Sequence, residues 1–165
     1  MTLPQDPVAR DLFREGMSRL AGAVNIITTE TATGLVGFTA SAVCSVSDAP
    51  PTLLVCVNNG SSVAAAFRAA TALCVNTVGP RHAELARLFG GRTPMEDRFA
   101  RAVWHRGATG APMLDEALVS FDTRVTERAE VATHSVLFCQ VVDVRMAIDD
   151  LRGSVWFGRR FHDLG

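Results

Sequence analysis

From Gly37 to Asn58 the chain reads GFTASAVCSVSDAPPTLLVCVN, and its polar positions fall on a two-residue beat. Thr39, Ser41, Ser45 and Ser47 take odd positions, interrupted only by Val43, while Phe38, Ala40, Ala42, Cys44 and Val46 take even ones. Side chains alternate faces along extended backbone, so a continuous strand here would carry a row of hydroxyls on one face and pack the other into a core. A turn at Asp48-Ala49-Pro50-Pro51 leads into Thr52 to Val57, apolar on both faces and ending at Asn58. Two readings of the hydroxyl row stand open. One is a half-exposed antiparallel strand with Ser and Thr in water. The other is a wall for an anionic, hydrogen-bonding ligand.

The same reading extends along the chain. Asp6-Pro7 has the form of a helix N-cap and opening proline, and Val8, Leu12, Phe13, Met17 and Leu20 recur near helical spacing before Gly22. Ala23 to Thr29 predicts a buried strand, and the polar residues 30–34 a hairpin connection into the opening stretch. After Asn59-Gly60, Ser61 or Ser62 caps a short alanine-rich helix, which would put helix N–H groups just beyond Asn58. Thr71 to Val78 reads as a strand, Pro80 to Phe89 as a helix stopped by Gly90-Gly91, and Pro94 to Ala100 as another short helix. Gly107 to Asp115 reads as loop. Leu118 to Val125 and Ser135 to Val144 read as strands joined near Thr133-His134. A polar turn from Asp149 to Gly153 precedes a last strand, Ser154 to Phe157, and a closing Gly158 to His162. Six or seven strands linked mainly by short turns predict a single domain over residues 1–165, a small, mainly antiparallel barrel with peripheral helices.

Composition changes this picture little but removes many functions. The 165 residues carry 16 basic and 17 acidic side chains, a formal net charge of -1, so neither nucleic acid nor an anionic membrane is an expected partner. No secretory apolar region opens the chain and no apolar run reaches the ~20 residues of a membrane helix, which makes the cytoplasm the expected location. Cys44, Cys56, Cys74 and Cys139 are widely spaced among apolar neighbours and form no C-x-x-C pair; buried reduced thiols are expected. His82, His105, His134 and His162 show no metal-binding spacing, so no metal is expected. P-loop, dinucleotide-fold and serine-elbow motifs are all missing. What remains is the hydroxyl row, Asn58, the helix starting near Ser61, Arg92 beside Gly90-Gly91, and His134. These offer neutral donors, a helix N-terminus and one cation, a set able to hold a flavin phosphate and ring while the flavin itself supplies redox chemistry. Arg92 as a solvated residue and His134 as an ordinary turn histidine are the alternatives.

Several segments in order carry a resemblance. They are the Gly37–Asn58 stretch, LCVNT at 73–77, LFGGRTPMEDRFA at 88–100, ALVSFD at 117–122 and THSVLFC at 133–139. Together they resemble the short-chain flavin reductases that serve two-component flavin monooxygenases. Within that family they are most similar to the branch acting in pyrimidine (uracil) breakdown, and next to the reductase components of 4-hydroxyphenylacetate hydroxylase. The resemblance spans residues 13–162. It implies a split β-barrel, a homodimer with a flavin cleft near the subunit interface, and hydride transfer from NADH or NADPH to FMN, with FAD as an alternative acceptor, for use by a separate monooxygenase. It also implies site residues. Thr39, Ala40 and Ser41 would line the flavin ring, and Ser45, Val46 and Ser47 would continue that wall. Val57 and Asn58 would meet the other side, Ser61, Ser62, Phe89, Gly90 and Arg92 would lie near the phosphate, and His134 would position the dinucleotide. Arg160 and His162 match a closing segment. Two departures stand out: Phe161 where relatives often have tyrosine, and Ala132 where they commonly have glycine. A split barrel that only carries or senses flavin is the rival reading. A pyridoxamine phosphate oxidase is disfavoured by the few clustered basic residues.

Overall fold

The computed structural model describes residues 8–148 and 152–165. The expected helix opening at Asp6-Pro7, and residues 149–151 of the expected polar turn, lie outside them. The elements run α1 (Arg10–Ser18), β1 (Gly22–Ala23), β2 (Asn25–Thr31), β3 (Gly34–Ala40), β4 (Val43–Asp48), β5 (Pro51–Asn58), α2 (Ala64–Ala69), β6 (Ala72–Thr77), a 3-10 turn (Pro80–His82), α3 (Ala83–Gly90), α4 (Met95–Phe99), β7 (Trp104–Arg106), β8 (Pro112–Leu114), β9 (Val119–Val131), β10 (His134–Met146), β11 (Gly153–Phe157) and β12 (Arg160–Leu164).

Seven strands form one sheet in the order β3-β2-β6-β9-β10-β5-β4, β1-β11-β12 form a second, and β7-β8 a third. Every recorded pairing is antiparallel. The two edges of the large sheet, β3 and β4, are consecutive in sequence and joined only by Ser41 and Ala42. Three residue steps span at most about 10 Å, so the sheet must curl until its edges face one another. No ladder closes them.

This joint corrects the sequence expectation. Ser41 and Ala42 are not in a strand, and β4 carries a register shift between Ser45 and Ser47. The two-residue beat is therefore broken twice. In β4 it is Val43 that packs against the core, while Cys44 and Val46 are exposed. The hydroxyls of residues 39–47 do not form one face.

The curled sheet has apolar layers on both sides, which explains why NIITT at 25–29 is buried throughout. Ile27, Val55, Val57, Leu73, Val75 and Leu137 fill one side together with Phe67 of α2. Sealing a side chain like that of Phe67 contributes about 1.5–3 kcal/mol. Val24, Ile26 and Val78 on the other side meet Leu85, Ala86 and Phe89 of α3 and Phe99 of α4. Phe89 approaches β3 so closely that a Cβ on buried Gly37 would lie 2.7 Å from its ring, so only glycine allows α3 to dock there.

Four further expectations need correction. Gly107 to Asp115 is not simple loop, because β8 pairs with β7 and is fully buried. Asn76 Oδ1 accepts bonds from Leu114 N–H and Ser120 Oγ, both at 2.8 Å, and Thr109 N–H donates to Asp122 Oδ2 at 2.8 Å. These buried acceptors hold the hairpin on the sheet. The segment after Phe157 forms β12, reached through a turn with left-handed φ at Gly158 and Arg159. Neither Ser61 nor Ser62 caps α2, whose preceding residue is Val63 with no side-chain cap bond. Finally, Cys74 and Cys139 are buried, but Cys56 is half-buried and Cys44 exposed; all four are free.

Candidate functional site

A hollow of 320 Å³ opens at the Ser41-Ala42 joint. It gathers most of the residues singled out from sequence: Thr39, Ala40 and Ser41 from the end of β3, Asn58 at the end of β5, Ser61 and Ser62 before α2, Phe89 and Gly90 at the end of α3, and His134 at the start of β10. Sheet register explains the convergence, since His134 pairs directly with Asn58. A neighbouring hollow of 740 Å³ shares Ser62, Val63, Gly91 and Arg98 with the first and adds Arg92. Another, of 330 Å³, lies across Thr39–Ser41 and Gly90, under Trp156, Phe161 and Arg87. These sizes suit small-molecule sites. The largest of these four hollows, 1070 Å³, lies between α1 and residues 41–44 and touches the first through Ser41, Ala42 and Cys56.

Not every expected residue arrives. Ser45, Val46 and Ser47 run away along edge strand β4 and line none of these hollows; Ser47 Oγ instead accepts the Ala49 N–H at 3.1 Å. Val57 is fully buried and faces the core behind the site. Arg160 sits exposed on β12, paired with Phe157. His162 turns its Nε2 to the Phe157 carbonyl at 3.1 Å.

The polar groups that do converge have different commitments. Thr39 Oγ1 donates to the Ala86 carbonyl at 2.6 Å, so its proton fastens β3 to α3. Asn58 Oδ1 accepts the Gly60 N–H at 2.8 Å, which leaves its amide N–H₂ without a partner among the described residues. Ser41, Ser61 and Ser62 are exposed, and their hydroxyls have no bonds among the described residues. His134 Nδ1 lies 2.9 Å from Thr133 Oγ1.

Arg98 is the residue that sequence reading missed. It is 6% exposed and lines both the 320 and 740 Å³ hollows. Its Nε donates to Thr93 O at 2.7 Å, and its two terminal nitrogens donate to Phe89 O at 3.2 Å and Gly91 O at 2.9 Å. All three partners are neutral carbonyls, and burial lowers its pKa from the ordinary arginine value. No carboxylate lines either hollow. The guanidinium thus knits the 89–93 corner and leaves its charge unbalanced beside exposed Arg92. An anion seated there gains two cations and loses nothing to a neighbouring acid. A signal was present in the sequence: in Met95-Glu-Asp-Arg-Phe99, Arg98 falls on the same helical face as Met95 and Phe99.

The arrangement offers a slot with neutral donors along one side, a corner with two arginines and no carboxylate at one end, and an imidazole at the rim. It lacks a nucleophile paired with a base, and no cluster able to hold a metal ion occurs among the described residues. Nor is any helix among them long and apolar enough to cross a membrane.

Known proteins place this geometry in a context. The family model described as flavin reductase like domain matches residues 17–165. The FMN reductase (NADH) RutF of Cronobacter sakazakii (strain ATCC BAA-894) is 57% identical over 152 residues, covering 92% of this chain and 91% of its own. The protein of the same name from Escherichia coli (strain K12) is 52% identical over 157 residues, 95% of each chain. Among solved structures, a candidate flavin reductase from Haemophilus somnus 129pt superposes with a TM-score of 0.92 at 41% identity, covering 95% of this chain and 100% of that one.

Proposed function

The chain belongs to the flavin reductase-like domain family, and from that premise we propose that it is an oxidoreductase that uses NADH to reduce FMN and passes the reduced flavin to a separate monooxygenase. The names of its relatives, FMN reductase (NADH), support the substrates. The observation that carries the reading to this chain is the 320 Å³ slot, with free Asn58, Ser41, Ser61 and Ser62 donors leading to an acid-free corner under Arg98 and Arg92. That donor set fits a flavin: neutral hydrogen bonds for the ring and ribityl chain, cations for the phosphate.

In this reading Thr39, Ala40, Ser41 and Asn58 lie along the ring. Ser61, Ser62, Gly90 and Arg92 hold the phosphate, and Arg98 keeps the corner in shape beneath it. His134 at the rim orients the dinucleotide. When bound, the flavin supplies the hydride acceptor. The chain's residues bind and align the two molecules, and no protein acid need donate a proton at that step. The curled sheet with its open joint is the split barrel of the family. The cytoplasm, where NADH is plentiful, is the proposed location.

A homodimer is part of the proposal. The apolar face of α1 with Leu12, Phe13 and Met17, continued by Leu20 just beyond the helix, is 48–66% exposed and stands beside the 1070 Å³ hollow. A second copy covering it would shield that stripe and wall the cleft on its open side.

The deciding experiment is NADH consumption followed with and without added FMN, FAD or riboflavin, with NADPH in parallel. Turnover should require flavin and be fastest with FMN and NADH. No rate above buffer with any of the three flavins would sink the proposal, and tightly held flavin without turnover would point to a carrier.

A further inference from the structure

We propose that Glu130 is a positioning residue: through Asn59 and Ser135 it holds the His134 turn against the loop that follows β5, and so sets how the nicotinamide dinucleotide docks. The inference rests on the FMN reductase reading of the cleft.

β9 and β10 meet in a two-residue turn, Ala132-Thr133, with Val131 paired to His134. On its other edge His134 pairs with Asn58. Val131, Ala132 and Thr133 are all exposed, so the turn has no anchor in the core. One backbone bond from the turn and a side-chain cluster one residue further along each strand fix it. Thr133 O accepts the Asn59 N–H at 2.9 Å. The Glu130 carboxylate accepts Asn59 Nδ2 at 3.0 Å and lies 2.8 and 2.9 Å from Ser135 Oγ, which is itself 2.6 Å from Asn59 Oδ1. Ser135 is completely buried and has a single hydroxyl proton to share between these acceptors. A carboxylate is the stronger acceptor, so Glu130 anchors the cluster. The Ser135 and Asn59 bonds also hold its pKa below the usual carboxylate value.

The two walls are not equally rooted. The loop after β5 is flanked by buried Val57, Val63, Ala64 and Phe67. The turn carrying His134 has its backbone pairings and, for side-chain support, only the cluster. Removing the carboxylate therefore loosens the turn while the flavin side keeps its place. Because His134 Nδ1 sits 2.9 Å from Thr133 Oγ1, the ring's orientation moves with the turn as well.

The test compares Glu130→Ala, Glu130→Gln, His134→Ala and the Glu130→Ala/His134→Ala pair with the unaltered chain. It reads KM for NADH, kcat, and FMN affinity by fluorescence quenching. Loss of the charged acceptor should raise KM for NADH about five-fold, with FMN affinity changed less than about two-fold. Glu130→Gln, which keeps an oxygen acceptor, should recover most of the loss. On the His134→Ala background, Glu130→Ala should add nothing. Asn59→Asp, which sets a like charge against Glu130, should raise KM in the same way and serves if Glu130→Ala does not fold. An unchanged KM in both Glu130→Ala and Asn59→Asp, an equal loss of FMN and NADH binding, or an additive double variant would overturn the proposal. Failure of the unaltered chain to oxidise NADH with flavin would instead overturn the reading beneath it.

Discussion

Arg98 and Arg92 show how little a residue's name reveals of its work. Both belong to one short segment and both carry a charge, yet one is sealed against three carbonyls and the other reaches freely into solvent. If Arg92 meets the phosphate, Arg92→Ala should weaken FMN about ten-fold and riboflavin, which has no phosphate, hardly at all; equal weakening in a fluorescence titration would remove it from that role. Arg98 escaped notice because a cation in a five-residue helix is ordinarily solvated, and only its place on the Met95–Phe99 face hinted otherwise. Ala132 makes the opposite case. The sequence already marked it as the position where relatives commonly have glycine, and the structure gives it a left-handed φ of 49° at the first position of a two-residue hairpin turn. Glycine reaches that region without strain from a Cβ, so Ala132→Gly should stabilise the fold by about 0.5–1 kcal/mol. A urea midpoint at or below that of the unaltered chain would contradict this.

Strands of five or more residues were legible wherever apolar residues run nearly unbroken, as at Asn25–Thr29, buried on both faces, and at Leu53–Val57, buried on one and half-buried on the other, because such runs leave few alternatives. The three-residue strands β7 and β8 were not, since Trp104-His-Arg106 and Pro112-Met-Leu114 are too short to display a period. β4 misled for another reason. Its alternation is real in the sequence, but the break at Ser41-Ala42 and the irregularity near Val46 turn the expected inner face outward. The cysteines report this inversion. Cys44 is exposed, and Cys56 on the neighbouring strand is half-buried, with burial and then the nearby Cys44 raising its pKa. Burial pushes Cys139 up to about 12, and pushes Cys74 up as well. A thiol reagent near pH 8 should therefore label Cys44 quickly and Cys56 slowly, and should reach Cys74 and Cys139 only in denaturant. Rapid labelling of all four in the native protein would mean that the sheet faces are misassigned.

The order of strands in the large sheet could not be read from the chain, because β6 between β2 and β9, or β10 beside β5, depends on contacts far apart in sequence. Local pattern predicted a mainly antiparallel fold, as observed, and the family resemblance added the split barrel as an expectation. It also implied a dimer, and the exposed stripe on α1 is where that proposal is most easily tested. The chain should elute and scatter light at twice its 17.7 kDa, and aspartates in place of Leu12 and Met17 should return it to a monomer. A monomer at every concentration of the unaltered chain would rule the dimer out. The two-residue joint between β3 and β4 bears on kinetics. Widening the slot there would require the whole sheet to uncurl, with Ile27, Val55 and Leu137 packed on its inner side. Exit of the reduced product should therefore run past the surface segments, residues 58–62 and 131–134, while the joint keeps its width. In hydrogen exchange these two segments should open ahead of residues 36–40, and stiffening them should slow product departure before it slows chemistry.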